Sequence, residues 1–414
     1  MNRTVSGLIH ALLIVIILLL SDVADLRAQV GDSHPRIWLN SATKPALVER
    51  YNRNTTNAGR LRSWCDTNIS ASLAGYVDSR ALGMLKAVNY ALMYQLTGNT
   101  TYSSRAVQII EYGLDNPYTG YTANNWPGFD NFYTDRYLVP ATALVLDWCY
   151  NAMTSTQRTR FVTQLDYWAN YIISSTPWAW QDPSNNYYYG HAWALLTTGY
   201  AIYGHNANAQ RYIDQARMML TEGVKYTNGE EVAWAVNDNT TGRANGGMWN
   251  EGTSYGGVNY EFIFSMVLAV RSAEDPDAHP DFDFPAEAVL FHIYATNPGG
   301  DYILSEGDGA GTMTITDKIR VPVLFAIALC DGAEGNYGQY WVNHYSSNTT
   351  SDYKLYNEFL WYDDRRQEIN YDGILPDHYH ADGSQILIWR EGWREDDCWI
   401  SMRIGLLNTD HAHN

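Results

Sequence analysis

The sequence predicts a mainly α fold, built of stacked helical hairpins and ending in an antiparallel strand pair. Three observations carry that expectation. Apolar residues recur at helical spacing from about residue 40 to 345. Turn-rich stretches such as Gly98-Asn99 and Gly204-His205-Asn206 separate the helical runs. From Gly383 the pattern changes to short runs rich in Ile and Trp.

In chain order, the first element is not part of the fold. Arg3 precedes an apolar run from Leu8 to Leu20, interrupted only by His10, and small and polar residues follow from Ser21 to Ala28. This reads as a secretory signal peptide over residues 1–28, too short in its apolar core to span a membrane, so a secreted or periplasmic protein is expected. The helical candidates are 57–73, 101–114, 134–152, 155–174, 187–203, 255–273, 284–296 and 317–331. Two more carry one-sided stripes: Leu82, Leu85, Val88, Leu92 and Leu96, and Ala209, Tyr212, Ile213, Ala216 and Leu220. With no strands between them, these helices are expected to pair as hairpins. Ser384–Arg390 and Cys398–Ile404, joined by a charged turn, are the expected strands. An isolated strand pair buries too little apolar surface to be stable alone, so further strands are expected to complete it.

The formal net charge is −18, which argues against nucleic acid as a partner. An acidic protein binds an anionic polymer only where Arg, His and amide donors gather in one cleft against the overall field. Cys65, Cys149, Cys330 and Cys398 match no zinc or redox spacing, and a Cys65–Cys149 bridge or free buried thiols both fit. Asn-X-Ser/Thr sequences at Asn54, Asn68, Asn99, Asn239 and Asn348 mark exposed turns.

The 32 Tyr and 15 Trp supply rings with polar atoms, which suit both helix packing and sugar stacking. The loop residues Trp126 and Trp249 are the candidates for sugar contact. Ser184 to Trp193 places Asn185, Asn186, three tyrosines and His191 at the start of a helix, where donors suit an anion. Asn capping with His191 in the core fits the same residues. Arg243 to Gly256 is too rich in Gly and polar groups for core and should be a loop leading into a helix near Tyr255. Within it Glu251 is a candidate substrate contact or a helix-cap carboxylate. His411-Ala412-His413 places two histidines on one side of a strand, half of a zinc site.

Taken in order, Asp147-Trp148, Tyr189-Gly190-His191, Glu251-Gly252-Thr253-Ser254-Tyr255, Trp389-Arg390-Glu391-Gly392-Trp393 and Asp410-His411-Ala412-His413-Asn414 resemble the heparinase II/III-like polysaccharide lyases. The resemblance implies an (α/α) toroid over residues 34–375 and the beginning of an antiparallel β-sandwich domain over 376–414, whose remaining strands would lie past Asn414. It also implies β-elimination on a uronic-acid polymer of glycosaminoglycan or alginate type. By position, His191, Tyr255 and His411 match the family's catalytic residues, and His413 matches a ligand of a structural zinc whose other ligands would also lie past Asn414. The elimination itself needs no metal. Ala194 stands where heparinase II has a glutamate, a departure that bears on specificity.

The chemistry accounts for these residue types. A proton must leave C5 beside a carboxylate, so that carboxylate must be neutralised, for which Asn185, Asn186 and Arg136 are the candidates. A Tyr acid protonates the leaving oxygen without tuning, whereas a Tyr base needs cationic or hydrogen-bonding neighbours, and neutral imidazole suits proton removal near neutral pH. Two other readings compete: an (α/α)-barrel glycoside hydrolase using paired carboxylates from Asp130, Asp135 and Glu251, and a non-catalytic glycan-binding protein.

Overall fold

A computed structural model describes residues 30–177, 180, 182–183, 185–221, 224–225, 231–232, 244–249, 251–274, 284–305, 311–346 and 350–404. The signal segment and the His411-Ala412-His413 motif therefore lie outside the described residues.

The helices are α1 (Lys44–Asn52), α2 (Thr56–Asn68), α3 (Leu82–Thr97), α4 (Thr100–Asp115), α5 (Asp135–Cys149), α6 (Ser155–Ser175) and α7 (Asn186–Ile202). They continue as α8 (Ala209–Thr221), α9 (Thr253–Ala273), α10 (Phe284–Ala295), α11 (Asp317–Leu329), α12 (Ala333–Tyr345) and α13 (Leu355–Trp361). Local chemistry sets several ends. Thr154 and Gln157 form a reciprocal capping box at α6, Asn99 caps α4, and Gly98 in the left-handed region closes α3.

Contacts between elements divide the helices into two layers. α3 packs on α5, α5 on α7, α7 on α9, α9 on α11, α11 on α13, and α13 back on α3, which closes a ring. The remaining helices lie outside it: α1 against α3, α2 against α3 and α13, α4 against α3 and α5, α6 against α5 and α7, α8 against α7, and α10 and α12 against α11. Sequence pattern explains the layering. α7 is buried on nearly every side, as an inner helix must be, whereas α4 buries only one face. The ring is thus an (α/α) toroid of helical hairpins.

Strands also occur between helices, contrary to the sequence expectation. β1 (Val224–Lys225) pairs with β2 (Glu231–Val232), and β3 (Tyr302–Ser305) with β4 (Gly311–Thr314) between α10 and α11. Elements of two to four residues are too short for a periodicity to register. The terminal sheet has three strands, β5 (His378–Ala381), β6 (Ile386–Arg390) and β7 (Trp399–Arg403), in the order β5-β6-β7. It docks on the end of α10: Trp399 donates to the Tyr294 carbonyl at 3.0 Å, Arg390 to the Thr296 carbonyl at 3.0 Å, and Tyr379 stacks on Tyr294.

All four cysteines are free thiols, with Cys65, Cys149 and Cys330 buried. No described helix is long and apolar enough to cross a membrane.

Candidate active site

A cavity of about 560 Å³ opens where the inner helices begin. Arg80 and Leu82 enter it from the start of α3, Arg136 and Tyr137 from α5, Asn186 and Tyr187 from α7, Tyr255 and Glu261 from α9, and Lys318 from α11. Tyr353 and Lys354, just before α13, complete the wall. Successive inner helices run the same way round the ring, so their N-terminal ends share one face. Each long helix thereby turns the positive end of its dipole toward the cavity. Four cations and two carboxylates line this space, although the chain as a whole carries −18. Local charge here opposes the overall field.

Arg136 is the best anchored of these cations. It is 2% exposed, with its guanidinium carbon 4.0 Å from the centre of the Tyr133 ring and 4.1 Å from that of Tyr187. Its Nε donates to the Tyr133 carbonyl at 3.2 Å and Nη1 to the Asn186 side-chain oxygen at 2.6 Å. Asn186 in turn donates to Glu251 at 3.1 Å, and Glu251 also accepts from Trp249 Nε1 at 2.9 Å and Asn259 at 3.4 Å. Two rings and this chain of bonds fix the orientation of the guanidinium. Gly190 makes the packing possible, because a Cβ there would lie 2.7 Å from Arg136 Cδ.

Across the cavity, Lys354 donates to Glu261 at 2.6 Å. Burial works against the Lys354 ammonium, but the facing Glu261 carboxylate outweighs it and the pKa is raised. The phenols move the other way from bases. Burial raises the pKa values of Tyr137, Tyr187 and Tyr353, outweighing the lowering by Arg136 or Lys354, so these hydroxyls stay protonated at neutral pH. They are donors.

His191 stands behind this wall, fully buried, with Nδ1 2.7 Å from Asp135 Oδ2. The rings of Phe132, Trp180 and Tyr187 surround it, and Nε2 has no hydrogen-bond partner among the described residues. An Asp135 carboxylate on Nδ1–H selects the tautomer whose bare Nε2 is basic. Asp130, Asn131 and Phe132, next to this dyad, hold φ values of 52°, 52° and 70°. Three consecutive non-glycine residues in the left-handed region are costly, and such strain gathers at functional sites.

Among the expected site residues, Arg136, Asn186 and Tyr255 come together at the cavity, with Glu251 one bond behind. Asn185 does not join them; its side chain caps α7 by accepting from Tyr187 N at 2.9 Å. Trp126 and Trp249 require correction as sugar platforms. Both are fully buried, with Trp126 bonded to the Ser79 carbonyl and Trp249 to Glu251, so neither offers a face to a sugar. His411 and His413 lie outside the described residues, and no cluster of three His, Cys, Asp or Glu fit to hold a metal occurs among the described ones. The cavity and the dyad behind it add Asp135, Tyr133, Lys354 and Arg80 to the site residues that the family resemblance implies. Asp135 and Arg136 stand together at a helix start, the only local signal.

No family model and no curated protein sequence matches the chain. Among solved structures, it is similar to heparinase III at 15% identity and a TM-score of 0.48, covering 78% of this chain and 44% of that one. A heparan sulfate lyase HepC mutant from Pedobacter heparinus is similar at 14% identity and a TM-score of 0.41, covering 80% of this chain and 46% of that one. The chain spans less than half the length of either.

Proposed function

We propose that the protein is a polysaccharide lyase that cleaves a uronic-acid polymer by β-elimination and acts outside the cytoplasm. The observation that carries this reading is Arg136, a buried and rigidly held guanidinium facing a cavity lined by protonated phenols. Elimination needs that combination. The carboxylate beside C5 accepts charge as the proton leaves, and a preoriented cation stabilises the enolate-like state without rearranging. Tyr255, half-exposed in the first turn of α9, protonates the departing C4 oxygen. A neutral imidazole takes the C5 proton; His191, oriented by Asp135, and His411 are the two candidates. For His191 to reach a sugar, the rings covering Nε2 must shift, and Phe132 belongs to the strained segment. His413 fits a structural zinc by residue type and takes no part in these steps.

Hydrolysis is less well served. Glu251 is buried under three donors, Asp135 is held by His191, and Glu261 is paired with Lys354, which leaves Asp130 as the one cavity carboxylate without such a partner among the described residues. A glycosidase needs two.

The deciding experiment incubates the protein with heparan sulfate, chondroitin, alginate and ulvan-type polymers and follows ultraviolet absorbance of the unsaturated uronate. Absorbance should rise with at least one polymer. Tyr255→Phe should lower kcat by about 100-fold or more while KM changes little, since one hydroxyl is removed and the ring remains. Depolymerisation without absorbance would replace the reading by hydrolysis, and binding without depolymerisation by a glycan-binding role.

A further inference from the structure

Arg80 and Lys318 differ from the other two cations of the cavity. Arg136 and Lys354 are buried and bonded to Asn186 and Glu261. Arg80 and Lys318 are exposed, and neither side chain makes a hydrogen bond or ion pair among the described residues. Arg80 nevertheless has a position. Its guanidinium carbon lies 4.8 Å from the centre of the Tyr133 ring, the ring that also carries Arg136 at 4.0 Å.

Two guanidinium groups on one ring are therefore closer than a screening length of about 10 Å at 0.1 M salt, and they repel unless anions lie between or beside them. Asp130 is the one rim carboxylate, and it forms no ion pair with Arg80. The ring order places α13 between α11 and α3, so Lys318 and Arg80 flank the segment that bears Tyr353 and Lys354. The one cavity is thus lined by two buried cations that are already bonded and two exposed cations that are not, among the described residues. One uronate needs the former only.

We propose that Arg80 and Lys318 form a second anion subsite at the mouth of the cavity, which takes a sulfate or carboxylate on a sugar next to the uronate held at Arg136. The subsite rests on the uronate reading of the cavity. It makes the preferred substrate a polymer with charge on neighbouring sugars over one with a single carboxylate in each disaccharide. Arg80 suits this task because a guanidinium held on an aromatic face keeps its hydrogen-bonding edge free for a planar or tetrahedral oxyanion. Lys318 adds a mobile point charge that follows either group.

The test measures binding by titration calorimetry and turnover by ultraviolet absorbance, using the whole chain. Unsulfated chondroitin and hyaluronan carry one carboxylate per disaccharide, chondroitin sulfate and heparan sulfate add sulfate, and alginate has a carboxylate on every sugar. Binding to the dense polymers is expected to be at least tenfold tighter than to the sparse pair. The two dense classes distinguish sulfate from carboxylate as the second anion. In the double variant Arg80→Gln, Lys318→Gln, that ratio should fall toward one, and the dependence of log Kd on log salt should flatten by about one to two units, as fewer counterions are released. Arg394→Gln, on the exposed turn of the terminal sheet, is the control for changed net charge and should leave the ratio in place. An unaltered ratio and salt slope in the double variant would overturn the subsite, as would equal binding of dense and sparse polymers or of none. Charge-dependent binding without unsaturated product would keep the subsite and remove the lyase reading. Unsaturated product with unaltered ratios would do the reverse.

Discussion

Burial holds the His292 imidazole neutral and lowers its pKa to about 4, against the opposing effect of its 2.6 Å bond to the Ala288 carbonyl. Its Nε2 is buried without a partner among the described residues, so a proton there would be an unpaired buried charge. In the unfolded chain the group titrates near 6.5. Below that value the unfolded state binds the extra proton, so His292 contributes fully above about pH 6.5 and loses its contribution as pH falls toward 4. The shift corresponds to about 3 kcal/mol. Urea melts from pH 7 to 4 should show this loss, and His292→Leu should flatten the slope whatever its stability at pH 7; an equally steep variant would exclude the histidine as the cause. Sequence shows this scale unevenly. Asn185 and Asn186 were both legible as polar groups at a helix start, but which one caps and which one faces Arg136 depends on one residue of helical phase. Trp126 and Trp249 looked like loop platforms, because a polar neighbourhood in sequence says nothing of burial in space. His191 and Asp135 are 56 residues apart, and only the packing of α7 on α5 joins them.

Helical elements were read well wherever a stripe or a cap marked them. The stripe from Leu82 to Leu96 became α3, and the stretch 155–174 became α6 with its Thr154 cap. Missing were α1, α12 and α13, where charged and aromatic residues interrupt the apolar period. The terminal sheet gained β5, whose His378-Tyr379-His380 run reads as polar until Tyr379 is seen packing on Tyr294. That sheet has an uncovered side among the described residues. Trp389, Ile400, Met402 and Ile404 are 39 to 60% exposed, and Leu387 pairs with Met402 and Trp389 with Ile400 on the same face. Among the described residues β7 is also an edge of the three-stranded sheet, beside apolar side chains. A second copy of the chain is a fitting partner for such an apolar face, and self-association through it is expected. Ile400→Lys with Met402→Lys should shift light scattering toward monomer without lowering the melting temperature by more than about 1 °C, since exposed positions contribute little to the core. Scattering that stays the same would place the association elsewhere.

At the scale of the whole molecule, the toroid needs its far end held as firmly as its mouth, since the cavity residues sit on helices that meet only through side chains. The segment from Gly31 to Leu39 does this. Asp147, fully buried near the end of α5, accepts from the backbone N–H of Arg36 at 2.9 Å and of Ile37 at 2.9 Å and pairs with His34 at 2.6 Å. Arg36 donates to the Tyr200 and Tyr203 carbonyls at the end of α7, a favourable place for a cation at a helix C-terminus. Trp38 reaches the Ser265 carbonyl and Ser272 hydroxyl of α9, and Gly31 donates to the Ala273 carbonyl. One strap thus ties the C-terminal ends of three consecutive inner helices whose other ends bear Arg136, Asn186 and Tyr255. The resemblance drew attention to Asp147-Trp148 without saying what the pair does, and its role here is to receive the strap; Trp148 Nε1 bonds the Ile37 carbonyl at 2.9 Å. Asp147→Ala removes the acceptor of two buried amides and the partner of His34 Nδ1, so a loss of about 2 to 5 kcal/mol is expected in urea unfolding. Because the strap lies opposite the cavity, the surviving folded fraction should show a raised KM for the polymer, as the three helix ends at the mouth lose their common reference. Unfolding at the wild-type urea concentration would show that the strap bears no part of the ring's stability, and a stability loss with an unchanged KM would confine its role to folding.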